Sequence, residues 1–185
     1  MANVLVVIDV QLALGASPDN SRNNPNAESV IGELLEQWRT AGEPVIHVVH
    51  DSTEEGSAIK LSLPGGAVHP AAAPIEGEPT IVKHVNSSFI GTDLEDRLRG
   101  LDADSVVFAG LTTNHCVSTT VRMSGNLGFR SWVAADGTAA FDHVGYDGTV
   151  WPAQTVHDVA LASLHQEFAT VADAGDIAEE VLRSS

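Results

Sequence analysis

Short apolar, β-branched runs alternate with amphipathic stretches along almost the whole chain, and this alternation constrains the fold more than any other feature. The runs are VLVVIDV (4–10), PVIHVV (44–49), TIV (80–82), SVVFAG (105–110), RSWVAA (130–135) and FATVA (168–172). Between them, SVIGELLEQWRTAG (29–42) carries apolar residues at helical spacing and ends on a capping glycine, Gly42. Helices are also predicted over 92–101, 112–128, 153–168 and 174–184. Strands separated by helices predict a three-layer α/β/α arrangement, Rossmann-like, with a six-stranded, mainly parallel sheet covered by helices on both faces. The segment 51–79, rich in Gly, Pro and Ser, is the one long irregular stretch, and loops of this length in compact domains usually carry function.

A chain of 185 residues fits one domain, 1–185, able to close a full core without disulfides or metal staples. Nine Lys plus Arg stand against 25 Asp plus Glu, a formal net charge of −16, which repels nucleic-acid phosphates and anionic membrane surfaces. Neither is expected as a partner. The run VLVVIDV is too short to span a bilayer and lacks the flanks of a signal peptide. The single cysteine, Cys116, suits a reducing compartment, so a cytoplasmic location is expected and the sequon Asn86-Ser87-Ser88 is read as incidental.

In open parallel sheets, ligands bind beyond the carboxyl ends of the strands. Asp9 ends the first run, His50 and Asp51 follow the second, Lys83 ends the third, and Cys116 follows the fourth across a short turn. A carboxylate that interrupts a buried apolar run must be paired or functional, which singles out Asp9. A lone cysteine is often inert core. Cys116, however, falls in the first turn of a predicted helix, where unpaired N–H groups and the helix dipole favour a thiolate and can hold an oxyanion. No Gly-rich turn follows the first strand, and Gln11 stands where an aspartyl-phosphate enzyme would need a second Asp, so no nucleotide cofactor is expected.

IDVQ (8–11), VKHVNSSF (82–89) and GLTTNHCVSTTVRMSGNLGF (110–129) together resemble the isochorismatase-like cysteine hydrolase superfamily, and the order and spacing agree as far as HDVALASLHQEFATV (157–171). The resemblance implies an Asp-Lys-Cys triad of Asp9, Lys83 and Cys116. It also implies a cis peptide between Leu111 and Thr112 that aims the Thr112 N–H into an oxyanion hole beside that of Cys116. Ser88 stands where the family often has Ala. Nicotinamidase-type members carry a metal on an Asp-x-His element plus a later His; here Asp51 is followed by Ser52 and Thr53, so no metal is expected although His69 is present. His47, His50 and His69 are read instead as pocket lining or ordinary polar residues.

The implied activity is hydrolysis of a non-peptide C–N bond in a small amide, ureido or carbamoyl compound through a thioester. Isochorismatase proper works without a nucleophilic Cys and is disfavoured by Cys116. The competing reading is a catalytically silent or redox-sensing member of the fold. Candidate substrate-binding residues are Gln11, Leu12, His50, Phe89, Asn114, His115, Tyr146 and Trp151. Arg122 is expected to pair with an acidic neighbour. The family's habit implies a homo-oligomer, dimer or larger, with 143–152 and the helix at 153–168 as candidate interface or lid elements.

Overall fold

The computed structural model describes residues 1–17 and 21–183. Its strands are β1 (Ala2–Ile8), β2 (Val45–His50), β3 (Thr80–Lys83), β4 (Ala103–Leu111), β5 (Ser131–Ala139), β6 (His143–Val144), β7 (Val150–Trp151) and β8 (Thr170–Ala172). Its helices are α1 (Ala27–Ala41), α2 (Leu94–Gly100), α3 (Ser118–Asn126), α4 (Ala153–Leu164) and α5 (Ala174–Leu182). Six strands pair in the order β3-β2-β1-β4-β5-β8, every pairing parallel. The sheet is therefore wholly parallel, and both of its faces are covered.

The covering explains why β1 reads as continuously apolar rather than alternating. Leu5 and Val7 pack with Ile31, Trp38 and Ile177 of α1 and α5 on one face. Val4, Val6 and Ile8 pack with Leu98, Val121 and Leu164 of α2, α3 and α4 on the other. Trp38 is fully buried and donates its indole N–H to the Asn3 carbonyl at 2.9 Å, which ties α1 to the start of β1. As its sequence predicts, α1 ends on Gly42 in the left-handed conformation, φ 71°, whose N–H caps Arg39 and Trp38. No helix of the described residues is long and apolar enough to cross a membrane.

Several elements differ from expectation. The stretch 112–128 is not one helix: Thr113–Val117 forms a π turn before α3 begins at Ser118. The cause is the Thr112 carbonyl, which accepts both the His115 and the Val117 N–H at 3.2 Å. The helix expected to reach 168 stops at Leu164, whose carbonyl takes the N–H of Phe168 and Ala169 and turns the chain into a β8 that starts at Thr170. The expected helix 174–184 ends at Leu182, and Ser184 lies outside the described residues. Within 143–152, β6 and β7 form a separate antiparallel pair. The loop 51–79 is fastened rather than loose: the Glu78 carboxylate accepts from Arg39 at 2.7 and 2.8 Å and from the Ile75 N–H at 2.9 Å, and meets His47 at 2.8 Å. Burial alone would raise the Glu78 carboxyl, but these partners hold it at about 2.

Two features locate the site. The strand order reverses between β1 and β4, since β2 leaves on one side of β1 and β4 on the other, and a crevice opens at their carboxyl ends. At that point Gly110 of β4, φ 134°, lies opposite Ile8, and a Cβ there would come within 2.0 Å of the Ile8 carbonyl oxygen. Only glycine lets the strand that precedes Cys116 approach the strand that carries Asp9 this closely.

Candidate active site

The residue after β1, Asp9, has φ 51°, a left-handed conformation that Asp tolerates better than most residues and that breaks the strand. Its carboxylate is completely buried. Lys83, the last residue of β3, is 1% exposed, and its ammonium donates to Asp9 Oδ2 at 2.6 Å, to Cys116 Sγ at 3.2 Å and to His50 Nδ1 at 3.0 Å. All three N–H bonds of the ammonium are thereby used. Because the ammonium donates, His50 Nδ1 is an acceptor and its proton sits on Nε2. The residues come from four consecutive strand ends, β3-β2-β1-β4, with Lys83 reaching past β2.

Asp9 Oδ1 is buried and has no hydrogen-bond partner among the described residues. Asp9, His50 and Cys116 place one polar atom each within 4.8 Å of one another. These three could serve as metal ligands, but the Lys83 ammonium already stands against all of them, putting a fixed cation where an ion would sit. Of the other residues considered for a metal, Asp51 accepts the Leu61 N–H at 3.0 Å, His69 accepts the Ala71 N–H at 3.3 Å, and His47 is engaged by Glu78.

Burial raises the Asp9 carboxyl above its usual range, against the pull of Lys83. The Cys116 thiol is pushed up to about 12, first by burial and then by the facing Asp9 carboxylate, with Lys83 opposing. The sequence reading of a thiolate favoured by helix dipole and lysine is thus not what the environment produces. Desolvation and a like-charge neighbour win over a π turn of five residues, and the resting group is a thiol beside an ion pair. Burial and the Lys83 charge lower His50, which leaves it neutral at pH 7.

A cavity of about 650 Å³ opens above this cluster, bordered by Asp9, His50, Thr112, Asn114, His115 and Cys116. The Leu111–Thr112 peptide is cis. Behind the turn, the Thr113 hydroxyl meets His157 Nδ1 of α4 at 2.8 Å, both side chains buried, so the turn is anchored to α4.

Other candidates lie elsewhere. Phe89 is buried in the core and stacked on Phe129, ring centroids 6.2 Å apart. Leu12 points to solvent, and Leu14, two residues on, borders the cavity instead. Tyr146 is fully exposed on the β6–β7 turn. Trp151 borders a shallow groove against α4, beside Arg122, outside the cavity. Arg122 stacks over the Phe168 ring at 4.8 Å rather than meeting an acid. Residues that sequence reasoning missed include Glu54, His84, Phe141 and His143. His84 directly follows Lys83, and Glu54 belongs to the long loop already singled out; Phe141 and His143 gave no periodic signal.

Gln11 is a clamp rather than a cavity residue. Its amide donates to the carbonyls of His50 and Gly66, both at 2.9 Å, and accepts the His50 N–H at 2.9 Å. Gln11→Ala is expected to lower unfolding free energy by about 2–4 kcal/mol, because three buried backbone groups lose partners. A urea titration checks this through the midpoint at unchanged slope.

A family model described as the isochorismatase domain matches residues 3–176. The chain belongs to the isochorismatase family. This isochorismatase-family hydrolase is 42% identical over 180 residues to the family protein YrdC of Bacillus subtilis, covering 97% of this chain and 96% of that one. A crystal structure of an isochorismatase-family protein from Chromobacterium violaceum superposes with a TM-score of 0.92 at 40% identity, covering 100% of this chain and 95% of the other. The streptothricin hydrolase of Streptomyces noursei is 28% identical over 75% of this chain and 54% of its own length.

Proposed function

We propose that this isochorismatase-family hydrolase cleaves a non-peptide C–N bond of a small amide, ureido or carbamoyl compound, with Cys116 as nucleophile, Asp9 as the proton carrier and Lys83 as the electrostatic partner of both. The observation that carries the reading is the buried ammonium of Lys83 touching Asp9 and Cys116 at once, with the second carboxylate oxygen of Asp9 left without a partner. The sulfur already accepts from Lys83, so the thiol proton is free to pass to Asp9. Lys83 then holds the thiolate while it attacks the amide carbon.

The backbone N–H groups of Thr112 and Cys116, both residues bordering the cavity, are the proposed oxyanion donors. As the tetrahedral adduct collapses, protonated Asp9 gives its proton to the departing nitrogen and ammonia or an amine leaves. Water then attacks the thioester with Asp9 as base, and the acid is released with the thiol restored. A thiol held at about 12 supports this use over redox sensing, which depends on a thiolate at neutral pH. The hydrolase named for streptothricin among its relatives agrees with hydrolysis as the class.

The test is ammonia release from a panel of primary amides, ureas and N-carbamoyl compounds. Release from at least one is expected, with equimolar carboxylic or carbamic product. No release from any panel member above a heat-treated control would contradict the reading.

A further inference from the structure

Beyond the Lys83 cluster the cavity is polar but has no cation to spare. Among the described residues no Arg or Lys borders it. Lys83 spends its three N–H bonds on Asp9, His50 and Cys116. Lys60 follows the lining residue Ile59 but is not itself among the residues that border the cavity, Arg22 is locked to Glu28 at 2.6 and 2.7 Å, and Arg122 stacks on Phe168 outside the cavity. The acidic groups bordering it are Asp9 in the floor and Glu54, an exposed residue of the loop after β2, and the molecule as a whole carries −16.

What remains is a set of groups that both donate and accept. His115 and His143 meet edge to face, centroids 5.6 Å apart, and neither ring nitrogen has a hydrogen-bond partner among the described residues. Burial and the neighbouring His143 ring lower His115, which favours its neutral form. Each neutral imidazole offers one N–H and one lone pair. His84 Nδ1 donates to the Asp51 carbonyl at 2.8 Å, and its Nε2 is the other polar atom of the ring. The Asn114 side chain adds an amide to the same wall.

We propose that this cavity selects uncharged amides whose far end is itself a neutral hydrogen-bonding group, such as a second carboxamide or a urea, and disfavours amides that end in a carboxylate. A neutral amide gives its N–H groups to Glu54 and to imidazole lone pairs, and its carbonyl accepts imidazole N–H. A carboxylate would leave water for a site without a cationic partner and meet Glu54 as a like charge. The inference rests on the hydrolase reading above only in placing the reacting carbonyl at Cys116.

Succinamide and succinamate, equal in length and differing only in the terminal group, test it. Calorimetry with Cys116→Ser at about pH 7.5 reads binding without turnover, and kcat/KM of the wild type reads the same choice in catalysis. Succinamide is expected to bind at least about 10-fold more tightly than succinamate. Glu54→Gln is expected to narrow that ratio. His143→Arg, at an exposed position on the rim, supplies the missing cation and is expected to bring the ratio to unity or reverse it. Equal or tighter binding of succinamate by Cys116→Ser, or binding of neither, would overturn the selectivity. Selective binding with no ammonia released by the wild type would instead overturn the hydrolase reading and leave the selectivity standing.

Discussion

Cys116→Ala is expected to lower kcat for amide hydrolysis by about 10⁴-fold or more, while the unfolding midpoint and the affinity for an amide stay close to those of the wild type. The thiol is only partly buried, so the truncation removes little apolar contact, and Asp9 and Lys83 keep each other as partners. Cys116→Ser is expected to be almost as inactive. A hydroxyl is a weaker nucleophile than a thiolate, and the burial that already holds the thiol at about 12 acts on the hydroxyl too. Steady-state ammonia release with each variant, beside a denaturant titration, separates loss of chemistry from loss of fold. If Cys116→Ala retained even a tenth of wild-type kcat, the nucleophile would lie elsewhere.

Lys83→Met has a different signature, because it strikes both activity and stability. The variant leaves a buried Asp9 carboxylate without its cation. Removing one member of such a pair costs about 3–5 kcal/mol if the other stays ionised. Asp9 escapes part of that penalty by keeping a proton, so the expected loss is about 1–3 kcal/mol. The protonated carboxyl can no longer take the thiol proton as a base, and kcat is expected to fall by about 10²- to 10⁴-fold. Asp9→Asn combined with Lys83→Met removes both charges and is expected to recover stability relative to Lys83→Met alone, with activity still lost. Recovery of activity would contradict the account.

The Asp9–Lys83 pair also fixes the sign of the pH dependence. Asp9 must be ionised to act as base, and burial raises its carboxyl above the usual aspartate range against the pull of Lys83. Wild-type kcat should therefore decline, as pH falls, along a limb lying above that range. Any residual activity of Lys83→Met should show the limb at still higher pH, since the group that lowers the Asp9 carboxyl is gone.

The layers of the fold were readable because burial on both faces writes itself into the strands as continuous apolar runs, as in β1 with Val4 to Ile8. That reading also placed Asp9, His50, Lys83 and Cys116 at one edge, since parallel strands put all their carboxyl ends on the same side. Lateral order was less legible: Lys83 sits two strands from Asp9, and only a side chain of its length bridges the gap. Proximity along the chain misled for Gln11 and Phe89. Both neighbour reactive residues, yet the Gln11 amide turns into the β2 backbone and the Phe89 ring stacks on Phe129.

Aromatic residues in an irregular stretch misled in the same way at Tyr146 and Trp151, where the short β6–β7 pair turns them away from the cavity. The thiol's environment was hidden for a different reason. Helix position predicts a lowered value only in a solvated first turn, and neither the burial of Cys116 nor the facing carboxylate of Asp9 is visible in sequence order. Glu54 and His143 reach the cavity from segments without periodicity, so only tertiary structure reveals them.

During turnover Cys116 is expected to become acylated by the substrate. Rapid-quench mass spectrometry of the wild type during turnover of a slow amide tests it most directly. A transient mass increase equal to substrate minus ammonia is expected, mapped to the peptide containing Cys116 and absent in Cys116→Ala. Sustained ammonia release with no adduct on that peptide under conditions that trap thioesters, or an adduct on another residue, would contradict it.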